Sequence, residues 1–359
     1  MMGLQPLIEQ VRGNCDIASA GQAGHFSLCG LLLRLRQLYK WEHRFKPWRE
    51  PESGAVLTWI EAKEQGWNLL EEADWQPLHW EEQTFEPFEA EHFNRVLLAH
   101  GLAYGAGLSR GLIPTCFLGE LLEVRRAGEL TILLLGRELA RDLDATPALR
   151  QGNLIYGRRE AMAFYLWDRL SDPVQQKNAF LKIALDAHHL SLPGLLRQPQ
   201  RFQREFDAFL AAEMEAALRH EVGEALEPGL QDALPTVVSL FPQTRIELWI
   251  RALKDALADV NHWGRLAFLI RERRLPSLAL MLAWRPGLQT LLLPELEPAC
   301  HAVGAANDWE SLEQARRTAL TRLRQTAADL EGLLAASEAA DVEWLRTEIQ
   351  QRYLGPLGL

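Results

Sequence analysis

The sequence predicts an all-α protein: two helical domains with one small β-hairpin. Three observations predict it. From residue 156 onward, apolar positions recur at helical spacing with few interruptions. Only residues 118–135 show two short apolar runs about a turn. And 359 residues, 48% hydrophobic and 24% charged, suffice for about two domains with real cores.

In chain order, residues 16–45 read as a first helix, with Asp16 as its cap after Gly13-Asn14 and a break at Pro47 and Pro51. Residues 41–93 carry six of the twelve tryptophans and thirteen Asp/Glu against four Lys/Arg, so most of the net charge of -10 sits there. Short helices with aromatic anchors inside and an acidic solvated face account for this segment, and a partner-binding surface is the competing reading. Residues 89–104 read as a helix followed by Gly101, Gly105, Gly107 and Gly111. Arg110 stands where a dinucleotide fingerprint needs its third glycine, so close packing or a turn explains these glycines better. The hairpin pairs Leu121-Leu122-Glu123-Val124 with Leu130–Leu135 about a turn at Ala127-Gly128-Glu129. Helices are expected at 156–170, 174–190, 200–226, 243–258, 261–272, 275–284, 308–335 and 338–353, with Asn307 and Glu310 as a capping box. Pro173, after Ser171-Asp172, divides an N-terminal domain 1–172 from a C-terminal domain 173–359, and Pro228-Gly229 is the other candidate boundary.

Composition narrows the function classes. The acidic balance argues against nucleic acid and against an anionic membrane surface. The apolar stretch 275–293 is interrupted by Arg285, Pro286 and Gly287, so it reads as core and not as a membrane span. Cys15, Cys29, Cys116 and Cys300 are far apart, which points to free thiols and a cytoplasmic location, and no signal peptide is visible. No phosphate loop, nucleophile elbow, His-Glu-x-x-His or Cys-x-x-Cys motif occurs.

What remains is polarity on apolar helix faces. At about 100° per residue, Glu213, His220 and Glu224 fall in the same arc as Phe202, Phe206, Phe209, Leu210 and Met214. Glu221 lies on the edge of that arc. His220 and Glu224 stack one turn apart. Glu160 falls among Tyr156, Ala163, Phe164 and Trp167, His188 among Phe180, Leu181, Ala184 and Leu185, and His100 among Phe93, Val96, Leu97 and Tyr104. Unpaired burial of such groups is costly, so they are paired, ligated or functional. Inward carboxylates and imidazoles from several helices are how helical bundles hold metal. The resulting expectation is a helical-bundle metalloprotein with one or two divalent ions (Fe, Mn or Zn) activating water or oxygen. Its metal ligands would be His220 and Glu224 first, then Glu213, Glu160, His188 and His100, with Glu221 as general base. The bland alternative is a salt-bridged core network. The competing class is a non-catalytic interaction protein with a protein partner or a second copy. It would use the Trp-rich acidic segment or the arginines Arg265, Arg271, Arg273, Arg274, Arg316, Arg317, Arg322 and Arg324. Docking of that cationic set onto segment 41–93 is the simplest form of this reading.

Several runs resemble a known family: Gly13-Asn14-Cys15-Asp16-Ile17-Ala18-Ser19-Ala20, Leu28-Cys29, Tyr39-Lys40-Trp41-Glu42, Phe241-Pro242-Gln243-Thr244-Arg245, Trp263-Gly264-Arg265 and Arg271-Glu272-Arg273-Arg274-Leu275-Pro276-Ser277. They are similar to an uncharacterised bacterial family, a domain of unknown function with N- and C-terminal parts. The likeness spans most of the chain and implies a bacterial, cytosolic protein without supplying an activity. Relatives in this family often carry a histidine where Gln22 stands, which weakens a metal reading of the Cys15–Cys29 region.

Overall fold

The computed structural model describes residues 3–108, 113–336 and 342–359. Its contacts divide the chain into two units. The first runs through Gln176 and adds Leu192–Met214; the second is Lys177–Ser191 with Glu215–Leu359.

The first unit overturns the all-α expectation. Its elements are α1 (Leu4–Ala23), α2 (Leu28–Glu42), α3 (Ser53–Asn68), β1 (Leu78–Trp80), β2 (Gln83–Phe85), α4 (Ala90–Leu97), β3 (Leu102–Leu108), β4 (Pro114–Ala127), β5 (Leu130–Arg141), β6 (Ala148–Gln151), β7 (Leu154–Arg158) and α5 (Arg159–Ser171). The expected hairpin is β4 and β5, but it is the centre of a curled five-stranded mixed sheet in the order β3-β4-β5-β7-β6. β5 and β7 run parallel, and the other neighbours are antiparallel. A second sheet pairs β1 with β2.

The strands hid for physical reasons. β3 is Leu-Ala-Tyr-Gly-Ala-Gly-Leu, poor in strand-forming residues. β7 is five residues long and buried throughout, so it has no alternation to separate it from the start of a helix. β4 shifts register three times against β5, which breaks its two-residue period. Gly105 and Gly107 are strand residues. A Cβ on Gly105 would stand 2.2 Å from the Phe117 ring on the adjacent strand, so this glycine makes room for that ring. Gly111 and Arg110 lie outside the described residues.

The two faces of the sheet carry different cores. Tyr104, Ala106, Cys116 and Leu118 pack with Leu7, Val11 and Cys15 of α1 and Phe93 and Leu97 of α4. Ala103, Phe117, Leu133, Leu135 and Tyr156 form the other cluster. α1 begins before the expected start, at Leu4, so Asp16 lies in mid-helix. There it accepts hydrogen bonds from Lys63 Nζ (3.2 Å) and Trp67 Nε1 (3.1 Å). Ser27 caps α2. Of the six tryptophans in segment 41–93, Trp41, Trp67 and Trp80 are buried and Trp48, Trp59 and Trp75 half-buried.

Asp142, fully buried beside β4, accepts hydrogen bonds from the Cys116 amide (2.9 Å), Gln22 Nε2 (3.0 Å) and the Asp144 amide (3.0 Å). Burial still lifts its carboxyl to about 7, helped by the nearby Asp144 charge. The folded value lies above the ordinary 3.8, so the contribution to stability is fully present below that value and is lost as pH rises through about 7. Urea unfolding from pH 4 to 8 is expected to show the protein losing stability relative to Asp142→Asn up to about pH 7, then none further. Parallel pH profiles for the two proteins would remove Asp142 as the titrating group.

The remaining helices are α6 (Ala179–Asp186), α7 (Leu192–Arg197), α8 (Gln203–Leu226), α9 (Ala233–Leu240), α10 (Arg245–Val260), α11 (Arg265–Arg271), α12 (Leu275–Ala283), α13 (Gly287–Leu292), α14 (Leu296–Ala306), α15 (Trp309–Ala336) and α16 (Val342–Ile349). Amphipathic α10 organises the second unit. Ile246, Trp249, Ile250, Leu253 and Leu257 are buried with Leu312, Ala319 and Leu323 of α15. Asn307 ends α14 in the left-handed region (φ 54°), and Asp308 accepts from the Ser311 amide at 3.0 Å, so Asp308, not Asn307, caps α15. Residues 338–341 of the last expected helix lie outside the described residues. No helix of the described residues is long and apolar enough to cross a membrane.

Candidate metal centre on the second unit

Glycine sets the geometry. A Cβ on Gly223 of α8 would lie 2.1 Å from the Ala258 carbonyl oxygen, and one on Gly264 would lie 2.0 Å from the same atom. Two side chains of a single hydrogen thus let α8 and the turn after α10 meet at backbone distance. Asn261 fastens the approach by donating Nδ2–H to the Gly223 carbonyl at 2.7 Å. The face of α8 holding His220 and Glu224 thereby meets the face of α10 holding Asp255 and Asp259.

Among the described residues, His220, Glu224 and Asp255 each offer a ligand atom within 4.8 Å of the others, and all three are half-buried. His220 Nδ1 lies 2.8 Å from Asp259 Oδ1. The carboxylate can only accept there, so Nδ1 carries hydrogen and Nε2 is the nitrogen left for a ligand. Asp259 is fully buried and also accepts from Arg265 Nη2 at 2.5 Å. Lys254 Nζ lies 2.6 Å from Glu224 Oε1.

The charges answer one another. Burial works against a charged His220, but the Asp259 carboxylate outweighs it and lifts the imidazole to about 9. Burial would raise Asp259, yet Arg265 and His220 bring it down to about 2. Burial lifts Glu221 to about 7; His220 opposes this and Glu224 adds to it. Asp255 is raised chiefly by burial, against the pull of His220. Without a cation these groups form a compensated network. An ion that displaced the proton of the imidazolium would have Glu224, Asp255 and His220 as its donors, each with a ligand atom within 4.8 Å of the others. Ligand atoms sharing an ion at about 2.0–2.2 Å stand roughly 3.3 Å apart, so small side-chain rotations would close the triangle.

Models of one family match both parts of the chain: residues 6–158 as the N-terminal domain and residues 163–352 as the C-terminal domain of the family of unknown function DUF6866. The chain belongs to the DUF6866 family. No curated protein and no solved structure matches it. In this DUF6866 chain the triad therefore rests on its own geometry.

The other expected ligands have separate surroundings. Glu160, in the first turn of α5, accepts from the Glu138 amide at 2.8 Å. His100 is exposed and meets Trp80 edge-on at 5.3 Å. Glu213 is half-buried in the part of α8 assigned to the first unit. His188 lies past the end of α6; burial, then His189 and Arg274, lowers its pKa. Gln22 bonds Asp142 and the Pro114 carbonyl. Cys15 lies 3.1 Å from Cys116, and Cys29 is exposed.

Most of the proposed cationic face is engaged within the second unit. Arg265 binds Asp259, Arg316 and Arg317 bind Glu313, Arg322 binds Glu295, and Arg324 binds Glu227. Sequence reasoning missed Asp255 and Asp259. The available signal was a carboxylate pair one turn apart on α10 beside the small residues Ala252 and Ala256.

Proposed function

We propose that the second unit holds a divalent ion on His220, Glu224 and Asp255 and uses it for hydrolytic chemistry. The observation that carries the reading is the Asp259–His220 hydrogen bond, because metal-binding histidines are typically held by a carboxylate on their other nitrogen. One imidazole and two carboxylates suit Mn, Fe or Zn, and leave coordination positions for solvent. The ion would supply Lewis acidity to a bound water. Water activation is preferred to oxygen chemistry, since oxygenase iron sites commonly use two histidines and one carboxylate. Asp259 would orient His220, Lys254 would hold Glu224 in place, and Glu221, close enough to feel the charges of His220 and Glu224, would serve as the general base.

Elemental analysis of purified protein, before and after reconstitution under reducing conditions, tests the site. Near-stoichiometric metal is expected, with at least about tenfold weaker retention in His220→Ala, Glu224→Ala and Asp255→Ala. Glu221→Gln is expected to keep the ion and lose hydrolysis. At a hundredfold excess over Kd, ligand binding adds about 2.7 kcal/mol to stability, so a chelator should lower Tm measurably. No bound metal together with no Tm response to Mn, Fe or Zn would leave the ion-paired network as the whole account.

A further inference from the structure

A cavity lies within the first unit and shares no residue with the His220 site. It encloses about 470 Å³ and is lined by Trp48, Leu122, Ala163, Phe206 and Leu210, with Lys46, Arg137 and Arg159 also on its wall. That volume is in the range of small-molecule sites.

The apolar wall is held in place. Trp48 meets Trp167 and Phe206 edge-on, each at 5.8 Å. The buried Lys40 ammonium holds the preceding Pro47 carbonyl at 2.9 Å. Leu122 is 55% exposed, apolar surface that an occupant would cover.

The polar wall favours an anion. Three cations face two carboxylates, Glu160 and Asp207. Glu160 is engaged by the Glu138 amide. Arg159 meets Asp207 at 3.4 Å, and Arg137 meets Glu120 at 3.1 Å, with all four side chains at least 39% exposed. Such pairs are weak in water and leave guanidinium donors for a tighter acceptor. Among the described residues Lys46 makes no ion pair.

We propose that this cavity binds a small aromatic organic acid, its ring against Trp48, Phe206 and Leu122 and its anionic group on Arg159, Arg137 and Lys46. Rings gain from edge and face contact with Trp and Phe, and arginine grips a planar anion through paired donors. The reading is independent of the metal centre and stands or falls without it.

The test uses two probes with one aromatic body: 8-anilinonaphthalene-1-sulfonate, and N-phenyl-1-naphthylamine, which lacks the sulfonate. Fluorescence titration of the full chain is expected to show saturable binding of the anionic probe at one site. Ala163→Trp, which fills the cavity, is expected to weaken both probes by roughly tenfold or more. Arg137→Gln with Arg159→Gln is expected to weaken the anionic probe by about tenfold and leave the neutral one within about twofold. Leu122→Glu, at an exposed position that folding tolerates, should also repel the anionic probe. Non-saturable binding would overturn the proposal. So would binding unmoved by both Ala163→Trp and Leu122→Glu, or equal loss of both probes in the arginine double variant.

Discussion

Glu138→Ala is expected to destabilise the first unit by about 3–5 kcal/mol, the usual cost of removing one member of a buried ion pair. Glu138 is fully buried on β5 and receives Arg158 Nε at 2.5 Å and Arg141 Nη1 at 3.4 Å. Both guanidinium groups are fully buried as side chains. Arg158 also donates to the Asp144 carbonyl at 3.1 Å and lies 4.1 Å over the Phe117 ring, so it cannot turn to water without breaking the β5–β7 junction. Burial works against its charge, but Glu138 and Asp142 restore it, and its pKa is raised. Removing Glu138 leaves two cations in a medium that solvates them poorly. Urea unfolding reads the loss. Glu138→Gln, which keeps an acceptor, should lose less. Glu138→Met with Arg158→Met and Arg141→Met should recover much of the difference, because apolar replacement of a whole buried ion-paired group is often neutral. A loss under about 1 kcal/mol in Glu138→Ala would show that other groups carry the burial of these arginines.

The second large effect is expected at Asp259. Asp259→Ala should cost about 3–5 kcal/mol in metal-free protein, since it removes a fully buried carboxylate that pairs with both His220 and Arg265. Hydrogen exchange should place the loss in the C-terminal half of α8 and in α10. Metal retention should also fall by about 10–100-fold, the usual range for an outer carboxylate behind a ligating histidine. The two readouts separate two roles. A stability loss with metal retention unchanged would make Asp259 a packing partner and count against the proposed triad. Loss of both would place it behind the ligand.

Parts of this molecule were legible because they depend on local chain properties. The helical period put His220 and Glu224 one turn apart on one face of α8, whatever the rest of the chain does. The hairpin turn near Gly128 was equally local. The sheet was not. β3 and β7 have the composition of loop and helix, and become strands only because β4 and β5 supply their hydrogen-bonding partners. Glu160 and His188 projected inward on ideal helices that were drawn too long: β7 displaces the start of the first, and α6 ends before His188.

The sequence by itself determined which side chains α8 can present together, since a helix of 3.6 residues per turn leaves little freedom in that choice. The tertiary structure decided what stands opposite them. Gly223 and Gly264 admit the Ala258 carbonyl at a distance no other residue allows, and that approach brings Asp255 and Asp259 to His220. Convergence of side chains from two helices depends on how closely their backbones can pack, and no single helix carries that information.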